Sequence, residues 1–174
     1  MSRLNQIQVT FVAEEDRLLL RINTTDLAEF RFWLTRRMIG MLWPAIIQTL
    51  SSDPQVAIQA DKSAKEAVLA FQKEKAATNA DFKTPYQEQP NQLPLGEQPI
   101  LVTKIQIKAG QGNMRALCLH PSSGNGIEIA VDTQTLHTLC ILLQNKAQVA
   151  QWGLTLNLGE VPSITQPLTP ANVN

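Results

Sequence analysis

Apolar and polar residues alternate in three short stretches near the start of the chain, and this period is typical of strands with one buried face. The first stretch, residues 6–12, places Ile7, Val9 and Phe11 on one side. Residues 17–22 and 30–34 repeat the pattern with the apolar residues Leu18, Leu20, Ile22, Phe30, Phe32 and Leu34. The polar stretches EED and NTTD lie between them as turns. The pattern predicts three consecutive antiparallel strands.

The period changes after residue 34 to that of a helix. Thr35 has the side chain of an N-cap, and the apolar residues that follow form one helical stripe: Ile39, Leu42, Trp43, Ile46 and Leu50. Pro44 lies inside this stripe, where its ring meets the carbonyl four residues earlier. We therefore predict a helix after the third strand, with a kink or a break near residues 41–43.

The same order of patterns returns near residue 104. Residues 104–109 match residues 6–11 at an offset of 98, and residues 114–143 match residues 17–46 at an offset of 97. Asp132 takes the place of the cap Thr35, and the second helical stripe is Leu136, Leu139, Cys140 and Leu143. Matched periods and caps predict an internal duplication. Chance similarity of two β-β-β-α patterns is the alternative.

An insertion separates the two units. Asp53 and Pro54 form a cap and first-turn pair, and the Ala-rich, charged residues 55–80 contain no Gly or Pro, so they predict one long helix. Residues 84–99 contain four prolines and predict an extended linker. Near the end, LTLNL (154–158) fits one more strand before a frayed terminus.

These elements predict an α+β protein in which duplicated β-β-β-α units pack antiparallel sheets with helices. The predicted organisation is a first unit at 1–52, the helical insertion and Pro/Gln-rich linker at 53–99, a second unit at 100–153, and a partly disordered tail at 154–174. The two units are expected to form one domain around a shared core.

Composition narrows the classes of function. The chain has 44% hydrophobic residues and a formal net charge of zero, so it is globular and has no overall basic field for binding nucleic acid. Apolar runs are too short for a membrane span, and the first residues have no signal-peptide pattern. Two cysteines make no disulfide framework. We expect a cytoplasmic protein that does not bind membranes.

Cysteine and histidine raise the question of a metal. Cys118 and His120 are two residues apart on a strand, and His137 and Cys140 are three apart on a helix, which are ligand types that zinc accepts. The register opposes one shared site, because Cys118 and His120 face away from the core whereas Cys140 belongs to the core stripe. We expect no metal and no cofactor; a zinc site is the alternative.

Catalytic patterns are weak. Glu14, Glu15 and Asp16 form a turn, which is normally solvated, and HPSSGNG lacks the strand-to-helix elbow of a serine nucleophile. AGQGNM lacks the Lys-Ser/Thr of a phosphate loop. No catalytic residue is predicted, and an enzyme is a distant alternative.

Arginine is concentrated at the start of the chain, where six of the seven arginines precede residue 38. The candidate binding residues are Arg17, Arg21, Arg31, Trp33, Arg36 and Arg37. The strand period places the first four on the sheet face opposite the core, an arrangement also used to bind single-stranded nucleic acid. Alternatively, another part of the protein covers this face, and the arginines pair with the acidic residues Glu14, Asp16, Asp26 and Glu29.

The segment EEDRLLLRINTTDLAEFRFWLTRRMIGMLWP resembles the N-terminal part of an uncharacterised family of small bacterial proteins, through its acidic turn, DRLLLRI and a Thr-Arg-Arg junction into a helix ending in LW. The resemblance covers about residues 7–44 and implies no activity or cofactor. The tandem units also have a looser likeness to nucleic-acid-binding folds of the Whirly and Pur types, without their motifs.

These observations favour a non-enzymatic protein-interaction or assembly module that uses the N-terminal Arg/Trp face. We expect a protein partner or self-association into a homo-oligomer. The alternative is a single-stranded nucleic-acid-binding or regulatory protein that uses the same face, and no small-molecule ligand is indicated.

Overall fold

The computed structural model describes residues 3–88 and 92–158. Its first unit has the predicted order: β1 (Leu4–Val12), β2 (Arg17–Thr24) and β3 (Glu29–Leu34) form antiparallel neighbours, and α1 (Arg36–Ser51) follows. The Thr35 hydroxyl accepts a hydrogen bond from the Met38 N–H at 3.2 Å. This bond satisfies one of the free donors at the start of the helix, so the predicted cap is confirmed.

The second unit also follows its predicted pattern. A short strand β4 (Ile100–Leu101) precedes β5 (Lys104–Ala109), β6 (Arg115–His120) and β7 (Ile127–Val131). The helix α4 (Thr133–Val149) begins after Asp132, whose carboxylate accepts from the Thr135 N–H at 2.7 Å. Strands and helices thus combine in an α+β fold, as predicted.

The strands form two sheets that meet at both edges. The first sheet has the order β1-β2-β3-β4, and the second has the order β5-β6-β7. The chain passes between them after β4, where the Val102 N–H donates to Trp33 in the first sheet and the Thr103 N–H donates to His120 in the second. At the other edge, Arg3 forms a parallel bridge with Ala130 of β7. Arg3, which precedes β1 of the first sheet, thus pairs with the second sheet. The short strand β4, which precedes β5 of the second sheet, pairs with the first.

Strand register is the same in the two units once the sequence offsets are applied. Leu20 lies opposite Phe32 in the first sheet, and Leu117 lies opposite Ile129 in the second. This is the pairing that the alignment of the two units predicts. The duplication itself stays a prediction.

One hydrophobic core lies between the inner faces of the sheets and the apolar stripes of α1 and α4. Burying a large aliphatic or aromatic side chain stabilises a fold by roughly 1.5–3 kcal/mol, so this cluster is the main source of stability. Its largest fully buried members are Phe32, Leu18, Leu20, Ile22, Leu34, Ile39, Leu42, Ile46, Ile47, Leu50, Leu117 and Leu119.

The insertion differs from the prediction of one long helix. It forms a single turn, α2 (Pro54–Ala57), and a separate helix, α3 (Lys62–Asn79). Asp61 causes the division, because its carboxylate accepts a hydrogen bond from the Ala64 N–H at 2.8 Å and so begins a new helix. α3 packs against α4, and Leu69 is buried on its inner side.

α1 runs through Pro44 as one helix, so the predicted break is wrong, and the alternative of a kink stays a prediction. Burial of the stripe on both sides of the proline holds the helix together. The prediction of a strand near the end is also wrong. Residues 154–158 form no strand, since their backbone bonds to side chains instead of a strand edge: the Trp43 indole N–H donates to the Asn157 carbonyl at 3.1 Å. The remainder of the predicted tail, 159–174, lies outside the described residues.

Candidate functional site

The outer face of the first sheet, on the side away from the core, carries four of the predicted binding residues. Strand alternation places Arg17, Arg21, Arg31 and Trp33 there, and the register sets Arg21 directly opposite Arg31. One of the two remaining predicted residues, Arg36, begins α1. The structure therefore brings the arginines of β2 and β3 together and leaves the helix arginines at the end of the sheet.

A buried carboxylate organises the two central arginines. Glu29 begins β3, and its side chain is 0% exposed. Its Oε1 accepts hydrogen bonds from Arg21 at 2.9 Å and from Arg31 at 2.7 Å. Bonds between ionised partners are roughly twice as strong as neutral ones. Both arginines thus have an acceptor within the chain, as the alternative in the sequence analysis predicts for Glu29.

A segment of the predicted linker crosses this part of the sheet. We call residues 85–88 the strap. Gln6 donates to the Pro85 carbonyl at 3.3 Å and accepts from the Gln87 N–H at 2.9 Å, while Asn23 donates to the Gln87 carbonyl at 2.9 Å. The strap backbone therefore bonds to side-chain amides and not to a neighbouring strand. This pairing suits the strap because Pro85 has no N–H to donate to a strand.

Side chains of the strap also contact Arg21. Its guanidinium lies 4.7 Å from the centre of the Tyr86 ring and bonds to Glu88 at 2.9 Å. Burial alone would lower the pKa of Arg21, but the hydrogen bonds to Glu29 and Glu88 raise it above its ordinary value. Burial and the nearby Glu29 raise the pKa of Tyr86. The strap therefore contacts Arg21 with one aromatic and one acidic side chain.

The other half of the outer face is not crossed by the strap contacts. There the register aligns one residue from each strand, and we call this set the open row: Thr10, Leu19, Trp33 and Leu101. Leu101 is 38% exposed, and Leu19 and Trp33 are half-buried. Arg17 lies beside the row with 34% of its side chain exposed and pairs with Glu15 at 3.5 Å. The open row is thus a largely apolar strip with a cation beside it.

Arg36 and Arg37 are exposed in the first turn of α1. The ion pairs found in the described part of the chain do not include either residue. Their charge opposes the positive end of the helix dipole, so the helix itself gains nothing from them. They are therefore cations that a partner can contact at the end of the sheet where the open row lies.

A separate cavity of about 490 Å³ lies between α2, α3 and the start of α4. His137 lines it and is 1% exposed; its Nε2 lies 3.3 Å from the Gln72 amide oxygen, and its Nδ1 has no partner among the described residues. Burial lowers the pKa of His137 to about 4, so the imidazole is neutral at pH 7. The cavity can offer a neutral hydrogen-bonding group, and sequence patterns gave no sign of it.

The outer face of the second sheet carries a different set of polar residues. Cys118 lies opposite Glu128, and Glu128 forms an ion pair with Lys108. The hydrogen bond from Lys108 lowers the pKa of Glu128, and burial raises the pKa of the Cys118 thiol. His120 follows two residues after Cys118 on the same side of the strand. Glu128 was missed by the sequence analysis, although its outward position between core residues was the available signal.

The second pair considered for zinc does not join this group. Cys140 lies in the core stripe of α4 with 0% exposure, and burial raises its pKa to about 12. His137 lines the cavity described above. The four cysteine and histidine residues therefore form no single site, as their register predicts.

Comparisons with protein-family models, with curated proteins and with solved structures found no match for this chain. Within residues 3–88 and 92–158, no helix has both the length and the apolar character that crossing a bilayer requires.

Proposed function

We propose that this chain is a non-enzymatic protein-interaction module that associates with a second copy of itself through the outer face of the first sheet. The observation that carries the proposal is the open row, where the apolar side chains of three neighbouring strands, Leu19, Trp33 and Leu101, lie in line on the side of the sheet away from the core. Tryptophan and arginine are the residue types most often found at energetic centres of protein interfaces. Trp33 and Arg17 have this character.

The strap supports the choice of the open row over the rest of the face. Arg21 and Arg31 already bond to Glu29, and Arg21 also contacts Tyr86 and Glu88. A partner would have to displace these contacts to reach the pair. The contact surface therefore consists of Leu19, Trp33, Leu101 and Arg17, with Arg36 and Arg37 as cations at its edge.

The proposal extends to origin and location. The equal register of the two units supports a duplication, because the two sequence offsets of the alignment carry pairs of the first sheet onto pairs of the second, such as Leu20–Phe32 onto Leu117–Ile129. Both cysteines are unpaired, which supports a reducing compartment such as the cytoplasm.

Sedimentation velocity over a range of protein concentrations tests self-association. We expect the wild-type chain to form dimers and the double variant Trp33→Ala/Leu101→Ser to remain monomeric with unchanged circular dichroism. Phe71→Ser is the matched control, because Phe71 is 66% exposed on α3 and lies on a different surface. A wild-type chain that stays monomeric, or a Phe71→Ser variant that alone loses association, would contradict the proposed surface.

Single-stranded nucleic acid is the second candidate partner, because Arg36 and Arg37 are exposed near Trp33. Fluorescence anisotropy with labelled single-stranded DNA and RNA at two salt concentrations separates it from the first. A nucleic-acid-binding protein would show affinity that falls steeply with salt, with a log–log slope of about −0.7 for each phosphate neutralised. We expect no such binding, since Glu29 and Glu88 neutralise the central arginines.

A further inference from the structure

Three side chains of different chemistry converge on the outer face of the second sheet. The Cys118 sulfur, one ring nitrogen of His120 and one carboxylate oxygen of Glu128 all lie within 4.8 Å of one another. They come from two neighbouring strands, β6 and β7, whose pairing places Cys118 directly opposite Glu128. Strand alternation then brings His120 to the same side as Cys118. The backbone of the sheet therefore holds all three.

We propose that Cys118, His120 and Glu128 bind a zinc ion. Thiolate sulfur, imidazole nitrogen and carboxylate oxygen are the three ligand types that zinc accepts in proteins. Three protein ligands leave the fourth tetrahedral position open for water or for an external ligand. Binding converts the Cys118 thiol to a thiolate, and its proton is released to solvent.

The distances require small side-chain movements. Bonds of about 2.0–2.3 Å in a tetrahedral site place ligand atoms ~3.5 Å apart. Atoms that are now at most 4.8 Å apart must therefore close by no more than about 1.3 Å. Rotation about the side-chain bonds of Glu128, which is exposed, and of His120, which is half-buried, provides this movement without a change in the sheet.

Gly126 gives the His120 ring its position. A Cβ atom added at Gly126 would lie 2.5 Å from the His120 Nδ1 and 2.1 Å from the Leu119 carbonyl oxygen. Real carbon–nitrogen contacts are longer, so the ring can rest against this backbone only because residue 126 has no side chain. The glycine thus admits the imidazole to the cluster, where any larger residue would push the ring away.

Lys108 is the present partner of the Glu128 carboxylate. A carboxylate has two oxygens, so one can bind zinc while the other keeps the bond to the Lys108 ammonium. Such an outer partner is common at metal sites, where it orients the ligand. The ion pair is therefore compatible with the site.

The first sheet lacks this cluster at the equivalent positions. Arg21, Asn23 and Arg31 occupy the places of Cys118, His120 and Glu128 when the units are aligned. Two of these residues are cations, so zinc binding is expected at the second sheet alone. The inference does not depend on the proposed self-association, which uses the other sheet.

Titration of metal-free protein with Zn²⁺ in competition with a chromophoric chelator tests the site. We expect one zinc per chain, with binding weakened by at least the ~10–100-fold known for lost outer partners in each of Cys118→Ser, His120→Ala and Glu128→Gln. The chain has two cysteines and two histidines, so Cys140→Ala and His137→Gln are matched controls that should keep wild-type affinity. Circular dichroism checks that every variant is folded.

A second measurement uses the wild-type chain, so misfolded variants cannot obscure the answer. Co²⁺ added to the metal-free chain should produce thiolate-to-metal charge-transfer absorption, because Cys118 supplies the sulfur ligand, and an equivalent of Zn²⁺ should abolish this absorption by displacing the cobalt. Cobalt binding without charge-transfer absorption, equal loss of affinity in the two control variants, or no zinc binding at all would overturn the proposal.

Discussion

Glu29 is the most informative single residue to change, because its buried carboxylate bonds to two arginines. We predict that Glu29→Gln lowers the free energy of unfolding by ~3 kcal/mol, the lower end of the range for removing one member of a buried ion pair. The lower end applies because Arg21 keeps 13% and Arg31 keeps 22% of the side chain exposed, and water partly solvates them. The substitution preserves volume, so the loss reports charge and not a cavity.

Urea unfolding followed by tryptophan fluorescence and by circular dichroism measures this loss. For a chain of this size, ~3 kcal/mol corresponds to a fall in the melting temperature of about 6–12 °C. Glu66→Gln is the matched control: Glu66 pairs with Lys62 at 3.5 Å, and both side chains are largely exposed, 43% and 76%. An exposed pair of this kind contributes ~0.3–0.5 kcal/mol.

The reasoning would be refuted by a Glu29→Gln variant whose stability lies within about 1 kcal/mol of Glu66→Gln, the spread expected of surface changes. A double-mutant cycle with Arg21→Met isolates the pairwise energy. We expect the loss from Glu29→Gln to shrink once Arg21 is replaced, because one of the two charges that need the carboxylate is then gone.

Three further predictions concern other parts of the fold. Because the pKa of His137 falls from 6.5 to about 4 on folding, its contribution to stability is complete above pH 6.5 and is lost as the pH falls towards 4. Urea titrations should show that the free energy of unfolding falls by ~3 kcal/mol over this window, and His137→Gln should flatten its dependence on pH. Replacing Asp132 or Thr35 by Ala should each cost about 1 kcal/mol in thermal unfolding, and a loss of zero would show that these caps do not stabilise α4 and α1. Tyr86→Ala should speed tryptic cleavage after Lys83 without changing the melting temperature of the core, and an unchanged cleavage rate would mean that the strap is held by its backbone bonds alone.

Much of the secondary structure was predictable because its signals are local. Strand β5 has the predicted bounds 104–109, and both long helices of the units begin after the predicted caps Thr35 and Asp132. Alternation and capping depend on residues within one turn or one strand, so the sequence expresses them directly. The inner faces were predictable for the same reason.

Features that depend on distant contacts were not predictable in the same way. The strap reaches Gln6 and Asn23 across more than 60 residues of sequence, and no local period expresses such a contact. The Ala-rich composition of the insertion predicted one continuous helix. Asp61 followed by an Ala-rich stretch is itself a cap signal, and in the structure this signal outweighs helix propensity. Pro44 shows the reverse case, in which burial of the helix stripe overrides a local break signal.

The candidate sites fall between these cases. The outward positions of Arg21, Arg31 and Cys118 followed from alternation, but their partners followed from register between strands. The alignment of the two units contained that register, since it set Glu128 in the place of Arg31. Register across the strands, as that alignment contains it, places Glu128 beside Cys118 and so predicts the third ligand of the proposed zinc site.

The two units share their inner rows and differ in their outer rows, and this difference bears on function. Inner positions are constrained by the common core, since each must pack to high density against α1 or α4. Outer positions have no such constraint, so a side chain there is free to serve contacts of its own. The outer face of the first sheet has large apolar and arginine side chains, whereas that of the second has a thiol, an imidazole and a carboxylate. The pair Leu19–Trp33 of the first sheet corresponds to the pair Ala116–Ala130 of the second. The pair Arg21–Arg31 corresponds to the pair Cys118–Glu128. One scaffold thus presents two chemically distinct surfaces, and variants of Trp33 should leave zinc binding unchanged while variants of Cys118 leave self-association unchanged.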